Sequence, residues 1–355
     1  MSLVFDSKGW YARASSQKRT QLHEKISKMY ETDYPARIFP SGMAAIACVF
    51  QIISEKGKSN VLIGDEVYCD TPKVVKYLSN LKYNQVKIDD DDKVLEAIEQ
   101  LKPSIFFLET CSNPSGQIFN FNLIPKIREI SPSIIIVIDN TWLSAVGFNP
   151  LKYNVDLVVE SMTKYVSAGK CIGGLVIGKP HLMKDICQWT RLFGQFIGDD
   201  HINIFLTQIL TIKNRISSSS TLTEQLLQWM PGHFQTIHPS LSNHMSCDRA
   251  IQFFEHIPSI ILFFIPNNIT TKILKSNTKM SGYKTNILNI KFGLEWETSY
   301  GSPHSKICNW IKIGKENKYD KSKGNNKGVW FRLSVGFNDT FENVTSALLS
   351  LKAQL

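Results

Sequence analysis

Short apolar runs alternate with amphipathic stretches through the first half of the chain. The runs have the length of single strands and are rich in Ile, Val, Leu and Phe, as in 134–138. Between several of them the apolar residues recur at helical spacing, as in 91–101. Strands that alternate with helices form a mostly parallel sheet that helices cover on both faces. We therefore predict an α/β domain with strands at 60–64, 85–88, 104–108, 134–138, 155–159 and 174–178.

The pattern differs on either side of this region. A surface helix is predicted at 16–30, and the chain is predicted to be helical from about residue 180, including a long stretch near 196–230. After residue 232, strand-like and helix-like segments mix, which is typical of a smaller α+β domain. Because 355 residues are long for a single core, we expect two domains. The predicted divisions are an N-terminal arm and helix (1–35), a large domain (36–230) and a smaller C-terminal domain (231–355), the last with strands at 261–265, 285–291 and 329–334 and helices at 245–256 and 340–353.

The composition, 43% hydrophobic and 20% charged, is that of a soluble globular protein. No apolar run is long enough to cross a bilayer and no secretory signal is visible, so a cytoplasmic location is the simplest interpretation. The net charge of +9 invites a nucleic-acid function, but much of the excess lies in 312–327. The Gly, Asn and acidic residues of that segment indicate a solvated loop. We expect neither a nucleic-acid partner nor a membrane partner.

The seven cysteines are irregularly spaced and include no Cys-x-x-Cys pair. This spacing argues against a disulfide framework and against a zinc site, so we expect reduced thiols and no metal. Three of them, Cys69, Cys111 and Cys171, fall in motifs at the predicted sheet edge. The simpler interpretation is that these three cysteines are small buried apolar side chains. The alternative is a redox or covalent role.

Two residues near the ends of predicted strands carry complementary chemistry. Asp139 follows the strand at 134–138, and Lys164 lies in Ser161-Met-Thr-Lys-Tyr165, after the strand at 155–159. A lysine amine can form a Schiff base with an aldehyde. A carboxylate can hold a proton on a pyridine nitrogen, which makes the ring an electron sink. Together they are the two protein groups that pyridoxal phosphate (PLP) requires.

Other polar groups fall where such a cofactor would lie. Ser41-Gly-Met43 opens an apolar helix, and the exposed amides of a helix N-terminus bind phosphate. Ser161 and Thr163 place hydroxyls beside the lysine. In an open α/β sheet the ligand site lies at the carboxyl ends of the strands, where Asn113 and Tyr68 also fall. Tyr68 could stack there on a planar ring.

Seven segments of the chain carry motifs that, in this order, resemble those of the Cys/Met-metabolism PLP enzymes. That family contains cystathionine γ-synthase, cystathionine γ-lyase, cystathionine β-lyase and methionine γ-lyase, and the resemblance covers nearly the whole chain. It implies fold-type I, with a mostly parallel central sheet in a large domain and a smaller C-terminal α+β domain. The segments are Tyr11-Ala-Arg13, Ser41-Gly-Met43, Tyr68-Cys-Asp-Thr71, Glu109-Thr-Cys-Ser-Asn-Pro114, Asp139-Asn-Thr141, Ser161-Met-Thr-Lys-Tyr165 and Arg332-Leu-Ser-Val-Gly336.

The resemblance implies a role for each matched position. Lys164 would form the Schiff base (the internal aldimine) with PLP and later act as a general base. Asp139 would pair with the pyridine nitrogen, and Tyr68 would stack on the ring and assist proton transfer. Arg332 would bind the α-carboxylate of an amino-acid substrate in a bidentate pair. Asn113 would contact the phenolic oxygen of the cofactor or the substrate carboxylate.

The resemblance also implies that two subunits share each phosphate site. A neighbouring subunit would supply Tyr11 and Arg13, which predicts a homodimer or a homotetramer with shared active sites. The phosphate ligands from the subunit that carries the lysine would be Gly42, Met43, Ser161 and Thr163.

The chain departs from the family pattern at positions that bear on substrate choice. The usual Gly-His-Ser-Asp after the Lys-Tyr pair is Ala168-Gly-Lys-Cys171, and the usual Gly-Gly after the aromatic residue is Cys69-Asp70. Lys73 replaces an Arg in the same motif. Glu297 stands where side-chain recognition is placed and favours a distal ammonium, as in cystathionine. Thr298 stands where a Ser lines the carboxylate site in the family. Lys73, Glu297 and Thr298 are therefore substrate-binding candidates.

We therefore expect a PLP-dependent lyase or transferase that catalyses γ-replacement or γ-elimination on a sulfur amino acid or an activated homoserine. The same site would support β-elimination if the leaving group were on Cβ. The open alternatives are a β-lyase, a divergent biosynthetic member that processes a non-sulfur γ-substituted amino acid, and a catalytically silent binding or scaffold protein.

Overall fold

The computed structural model describes residues 16–55, 57, 60–78, 80–266, 294–309 and 328–354. The α-helices of this part of the chain are α1 (Gln17–Met29), α2 (Gly42–Glu55), α3 (Thr71–Tyr77), α4 (Asp91–Leu101), α5 (Ile124–Ile130), α6 (Ser144–Gly147), α7 (Pro180–Leu192), α8 (Asp199–Gln208), α9 (Ile212–Trp229), α10 (Cys247–Phe253) and α11 (Phe341–Gln354). The strands are β1 (Ala36–Phe39), β2 (Asn60–Gly64), β3 (Lys82–Val86), β4 (Ile105–Glu109), β5 (Ile135–Asp139), β6 (Leu157–Glu160), β7 (Gly174–Gly178), β8 (Gln235–Ile237), β9 (Ile260–Pro266), β10 (Glu295–Trp296), β11 (Lys306–Asn309) and β12 (Gly328–Ser334).

The first seven strands form one sheet in the order β3-β2-β4-β5-β6-β7-β1. Neighbours from β3 to β6 are parallel, and β7 and β1 complete the sheet in antiparallel pairs. The predicted mostly parallel sheet is thereby confirmed. Parallel strands bring their carboxyl ends to the same edge, so Glu109 of β4 lies in register with Asp139 of β5. Glu160 ends β6, the next strand along this edge.

Alternate residues of the central strands supply two cores, one on each face of this sheet. In β5, Ile136 and Ile138 pack on the side of α1, α4, α5 and α8, whereas Ile135 and Val137 pack on the side of α2, α3 and α7. Burial on both faces explains why these strands read as continuous apolar runs in the sequence.

The later strands form a second sheet in the order β10-β11-β12-β9-β8. β12 pairs antiparallel with both β11 and β9, and β10 pairs parallel with β11. The core of this sheet combines Ile261 and Phe263 of β9 with Val344 of α11. The first sheet ends at Gly178 and the second begins at Gln235, and a domain boundary near residue 230 stays a prediction.

Helix α9 contributes to both cores. Its first half places Ile212 and Ile216 in the core of the first sheet. Its second half places Leu222 and Leu226 in the core of the second sheet. One continuous helix therefore couples the packing of the two sheets.

The helical stretch predicted near 196–230 consists of two helices, since α8 ends at Gln208 and a short 3₁₀ turn separates it from α9, which begins at Ile212. One predicted strand is misplaced. The strand predicted at 85–88 lies earlier, at Lys82–Val86, and its mostly exposed side chains make its apolar pattern weak. Strands β1, β8 and β10 are too short to show a pattern in the sequence. The strand predicted at 285–291 lies outside the described residues.

The seven cysteines are free in the structure. Cys111 is buried, as the interpretation of small apolar side chains requires, and Cys171 is partly buried. Cys69 is exposed, so that interpretation is wrong for Cys69. No helix within the described ranges is long and apolar enough to cross a membrane.

Candidate active site

Lys164 lies in the turn that follows β6, and its amine points toward the second sheet. Its Nζ donates to Ser299 Oγ at 3.0 Å and lies 5.0 Å from the centre of the Tyr300 ring. Burial, and then the nearby positive charge of Arg332, lower the pKa of Lys164 to about 8. Near neutral pH an appreciable fraction of this amine is therefore unprotonated, which is the form that attacks a carbonyl carbon.

Asp139 ends β5 as a buried carboxylate. Its Oδ1 accepts hydrogen bonds from Thr141 N at 3.0 Å and from Thr141 Oγ1 at 2.5 Å. Burial raises the pKa of Asp139 to about 6, and the hydrogen bonds from Thr141 oppose this rise. A carboxylate in such a place is stabilised in its charged form by a cation, and a protonated ring nitrogen could be that cation.

Glu109 is a second buried carboxylate of this edge, and the sequence motif assigned no role to it. It lies beside Asp139 in the neighbouring strand, and burial together with the charge of Asp139 raises its pKa well above the usual range. Its Oε1 accepts the backbone N–H of Tyr68 at 2.5 Å. Glu109 therefore fixes the backbone of Tyr68, whose side chain remains 43% exposed and free to meet a ligand.

Two of the predicted phosphate ligands, Gly42 and Ser161, come together at the start of α2. A Cβ at Gly42 would lie 2.8 Å from Ser161 Cβ, so the two segments meet here at a distance that glycine alone permits. Ser41 Oγ accepts Ala44 N at 3.1 Å, whereas the N–H groups of Gly42 and Met43 belong to the first turn and lack partners within the helix. They are positioned to bind an anion.

Thr163 is held differently from Ser161. Its Oγ1 bonds to both backbone groups of Gly173, donating to the carbonyl oxygen at 3.3 Å and accepting from the N–H at 3.1 Å. Ser161 is fixed through its backbone, because its N–H donates to Thr141 Oγ1 at 2.9 Å. Of the two hydroxyls, the one on Ser161 therefore has fewer protein contacts to exchange for a phosphate oxygen.

Arg332 joins the two sheets at the site. It is 4% exposed in β12, and its guanidinium donates to Asn113 Oδ1 at 3.2 Å and to the carbonyl oxygen of Thr298. The loop that carries Asn113 is anchored by buried Glu66, whose carboxylate accepts from Ser112 Oγ at 3.0 Å. These contacts hold the planar guanidinium in one orientation, and a planar guanidinium is the geometry that suits a carboxylate.

The candidates for substrate binding are less uniform. Thr298 contacts Arg332 through its backbone while its side chain is exposed, and the hydroxyl that meets the lysine amine belongs instead to Ser299. Glu297 contacts Lys306. Lys73 forms an exposed ion pair with Asp70 at 2.7 Å. Tyr11 and Arg13 lie outside the described residues.

Ser299, Tyr300 and Lys306 are site residues that the sequence reasoning missed. They follow Thr298 in the chain. The glycine at position 301 was the sequence signal for this segment, because its positive φ of 75° brings the backbone against Lys164. A Cβ at Gly301 would lie 2.7 Å from the carbonyl carbon of Lys164. Within the ranges described above, no group of three or more His, Cys, Asp or Glu side chains is placed to hold a metal ion.

This arrangement can now be compared with known proteins. The Cys/Met metabolism PLP-dependent enzyme family matches residues 6–344. The chain belongs to this family. The expected cofactor, PLP, and the expectation of an enzyme are thereby confirmed. The residues present fit PLP, since the N–H groups of the first turn of α2 suit a phosphate, Asp139 suits a ring nitrogen and Lys164 suits an aldehyde.

Relatives of this Cys/Met-metabolism enzyme carry several activities. Cystathionine β-lyase of Neurospora crassa is 26% identical over an alignment that covers 67% of this chain and 53% of that protein. The chain thus spans about half the length of that relative. L-methionine γ-lyase of Fusobacterium nucleatum subsp. polymorphum is 24% identical over an alignment that covers 97% of this chain and 85% of that protein.

A solved structure shows the same fold. Cystathionine γ-lyase from Lactobacillus plantarum, complexed with L-serine, aligns with a TM-score of 0.82 at 20% sequence identity. The alignment covers 99% of this chain and 90% of that one. The predicted α/β fold of the PLP-dependent transferases is therefore confirmed.

Proposed function

We propose that this protein catalyses PLP-dependent γ-replacement or γ-elimination on a sulfur amino acid or an activated homoserine. The observation that carries the proposal is that Lys164 and Arg332 form hydrogen bonds to two consecutive residues of the chain. Lys164 Nζ bonds Ser299, and Arg332 bonds the carbonyl oxygen of Thr298. An amine and a guanidinium held this close to each other would both reach one bound α-amino acid, the amine at its Cα–H and the guanidinium at its carboxylate.

The residues of this chain would divide the work as follows. When bound, PLP supplies an electron sink for the bonds of the substrate Cα. Asp139 would hold the proton on the ring nitrogen, and Arg332 would orient the α-carboxylate so that the Cα–H points at Lys164. Lys164, with its lowered pKa, would remove that proton and return it to a neighbouring carbon. Tyr68 would stack on the ring and pass a proton to the leaving group.

The first experiment separates an enzyme from a silent scaffold. The purified protein should show the visible absorbance of covalently bound PLP, and Lys164→Ala should abolish it, because the Schiff base needs this amine. Lys184→Ala removes an exposed lysine of α7 and is the matched control, which should keep the absorbance. Wild-type protein without this band would contradict the proposal.

The second experiment identifies the reaction. Cystathionine, methionine and O-acylated homoserines are supplied with and without a thiol, and keto acid, ammonia and new thioether are measured. We expect 2-oxobutyrate with ammonia, or a thioether when thiol is present. Loss of turnover with every sulfur substrate would favour the divergent member that acts on a non-sulfur γ-substituted amino acid.

β-Elimination is the second candidate, because the relative from Neurospora crassa is a cystathionine β-lyase. The two reactions leave different products from cystathionine. Cleavage at Cβ leaves a three-carbon keto acid, pyruvate, and cleavage at Cγ leaves the four-carbon 2-oxobutyrate. If pyruvate is the main product, the enzyme catalyses β-elimination, and the proposed γ-reaction is wrong.

A further inference from the structure

A buried lysine holds the carboxylate that the family resemblance assigns to side-chain recognition. The Lys306 side chain is 11% exposed in β11, and its Nζ contacts Glu297 Oε2. The same Nζ lies 3.6 Å from Glu295 Oε2. The two glutamates are more solvated, with side chains 51% and 40% exposed. Because a buried ammonium needs a carboxylate partner, Lys306 depends on this contact more than Glu297 does.

The backbone fixes both partners. The N–H of Glu297 donates to the carbonyl oxygen of Ile307 at 3.1 Å, and the N–H of Glu295 donates to that of Ser305 at 3.2 Å. These bonds continue the parallel pairing of β10 with β11. The ion pair is therefore set by the sheet and does not rest on a chance meeting of two flexible side chains.

The pair also faces the site. The two residues that follow Glu297 contact Arg332 and Lys164. The register of β11 with β12 places Lys306 on the same face of the sheet as Arg332. If Arg332 holds the α-carboxylate of a substrate, the side chain of that substrate would therefore extend near both charges of the pair.

We propose, building on the function proposed above, that Lys306 is a specificity-determining residue that neutralises Glu297. The site would accept γ-substituted amino acids whose side chain carries no ammonium group, such as acylated homoserines or methionine, in preference to substrates with a distal ammonium. A distal ammonium would have to displace Lys306 from Glu297 and then lie beside its positive charge. This proposal reverses the expectation that Glu297 recognises the distal ammonium of cystathionine.

Two unreactive ligands isolate the ammonium group. L-Lysine and L-norleucine share the same carbon chain and differ in the distal ammonium, and neither carries a leaving group at Cγ. Each is titrated into the PLP-loaded enzyme, and the change in cofactor absorbance gives its Kd. Wild-type enzyme should bind norleucine about tenfold more tightly than lysine, because like charges meet in the lysine complex. Equal binding of the two ligands would overturn the proposal.

Variants then assign the effect to the pair. Lys306→Met should shift the ratio of the two Kd values about fivefold in favour of lysine, since it leaves Glu297 to accept the ammonium. Adding Glu297→Gln should reverse that gain, and Lys306→Arg should keep the wild-type preference. A change in both Kd values by the same factor would mean that Lys306 has a structural role alone. Should Lys306→Met fail to fold, Lys306→Gln removes the same charge and keeps a polar side chain.

This test is independent of turnover. If the substrate panel shows no γ-reaction while the ratio of Kd values shifts as expected, the proposed function fails and the role of Lys306 stands. If γ-products form but the ratio stays constant between wild type and Lys306→Met, the role of Lys306 fails and the proposed function stands.

Discussion

At the scale of residues, burial moves the two central ionisable groups toward their neutral forms. It lowers the pKa of Lys164 to about 8 and raises that of Asp139 to about 6. Each shift suits the partner that PLP brings, because the aldehyde needs a neutral amine and the ring nitrogen needs a carboxylate that gains from a cation. The same burial that holds the fold together therefore prepares both ends of the cofactor site.

The pKa of Lys164 predicts how fast the apoprotein captures PLP at different pH values. An ordinary lysine becomes neutral above about 10.4. Lys164 loses its proton as the pH rises through about 8, so the capture rate should rise with pH and level off above that value. Stopped-flow absorbance checks this, with Lys184→Ala as the control. A rate that continues to climb toward pH 10 would show that burial does not lower this pKa.

At the scale of elements, the site is assembled where the carboxyl ends of β4, β5 and β6 meet the start of α2. The strands supply Glu109, Asp139 and the turn with Lys164, and the helix supplies backbone N–H groups. The close contact of Gly42 with Ser161 brings the helix N-terminus to this edge. Phosphate binding therefore depends on the approach of two elements as much as on the identity of any side chain.

Gly42→Ala tests that approach. The added Cβ would lie 2.8 Å from Ser161 Cβ, so the helix must move away from the turn, at a cost of about 1–3 kcal/mol in the free energy of unfolding. We expect a lower Tm and a weaker Kd for PLP. Gly232→Ala is the matched control, because a Cβ at Gly232 meets nothing within 4 Å. PLP binding as tight as in wild type would mean that the phosphate does not lie at this helix start.

At the scale of the whole molecule, the sequence predicted the parallel sheet well because its strands are buried on both faces and read as apolar runs. It also predicted that Asn113, Asp139 and Lys164 lie on one edge, and Arg332, a residue that the family resemblance added, contacts Asn113 and lies near Lys164. The contacts of Ser299 and Lys306 could not be predicted from the sequence. They depend on the register of β10 and β11, two short strands whose pairing partner cannot be read from a local pattern.

The proposed shared active site gives a prediction about mixed oligomers. The family resemblance places Arg13 of one subunit at the phosphate site of its neighbour. Arg13→Ala and Lys164→Ala should therefore impair different halves of the same site, and each variant alone should have little activity. After subunit exchange, a mixed dimer has one site with both residues intact. Half of the dimers are mixed, so about a quarter of the wild-type activity should return.

The control is a mixture of Lys164→Ala with Asp139→Ala. These two residues belong to the same site of one chain, where β5 and the turn after β6 bring them together. Every site in that mixture therefore lacks one of them, and no activity should return. Recovery in the first mixture alone would establish that active sites form between subunits. Activity no higher than the sum of the separate variants in both mixtures would mean that each chain builds its site by itself, and that Arg13 acts within its own subunit.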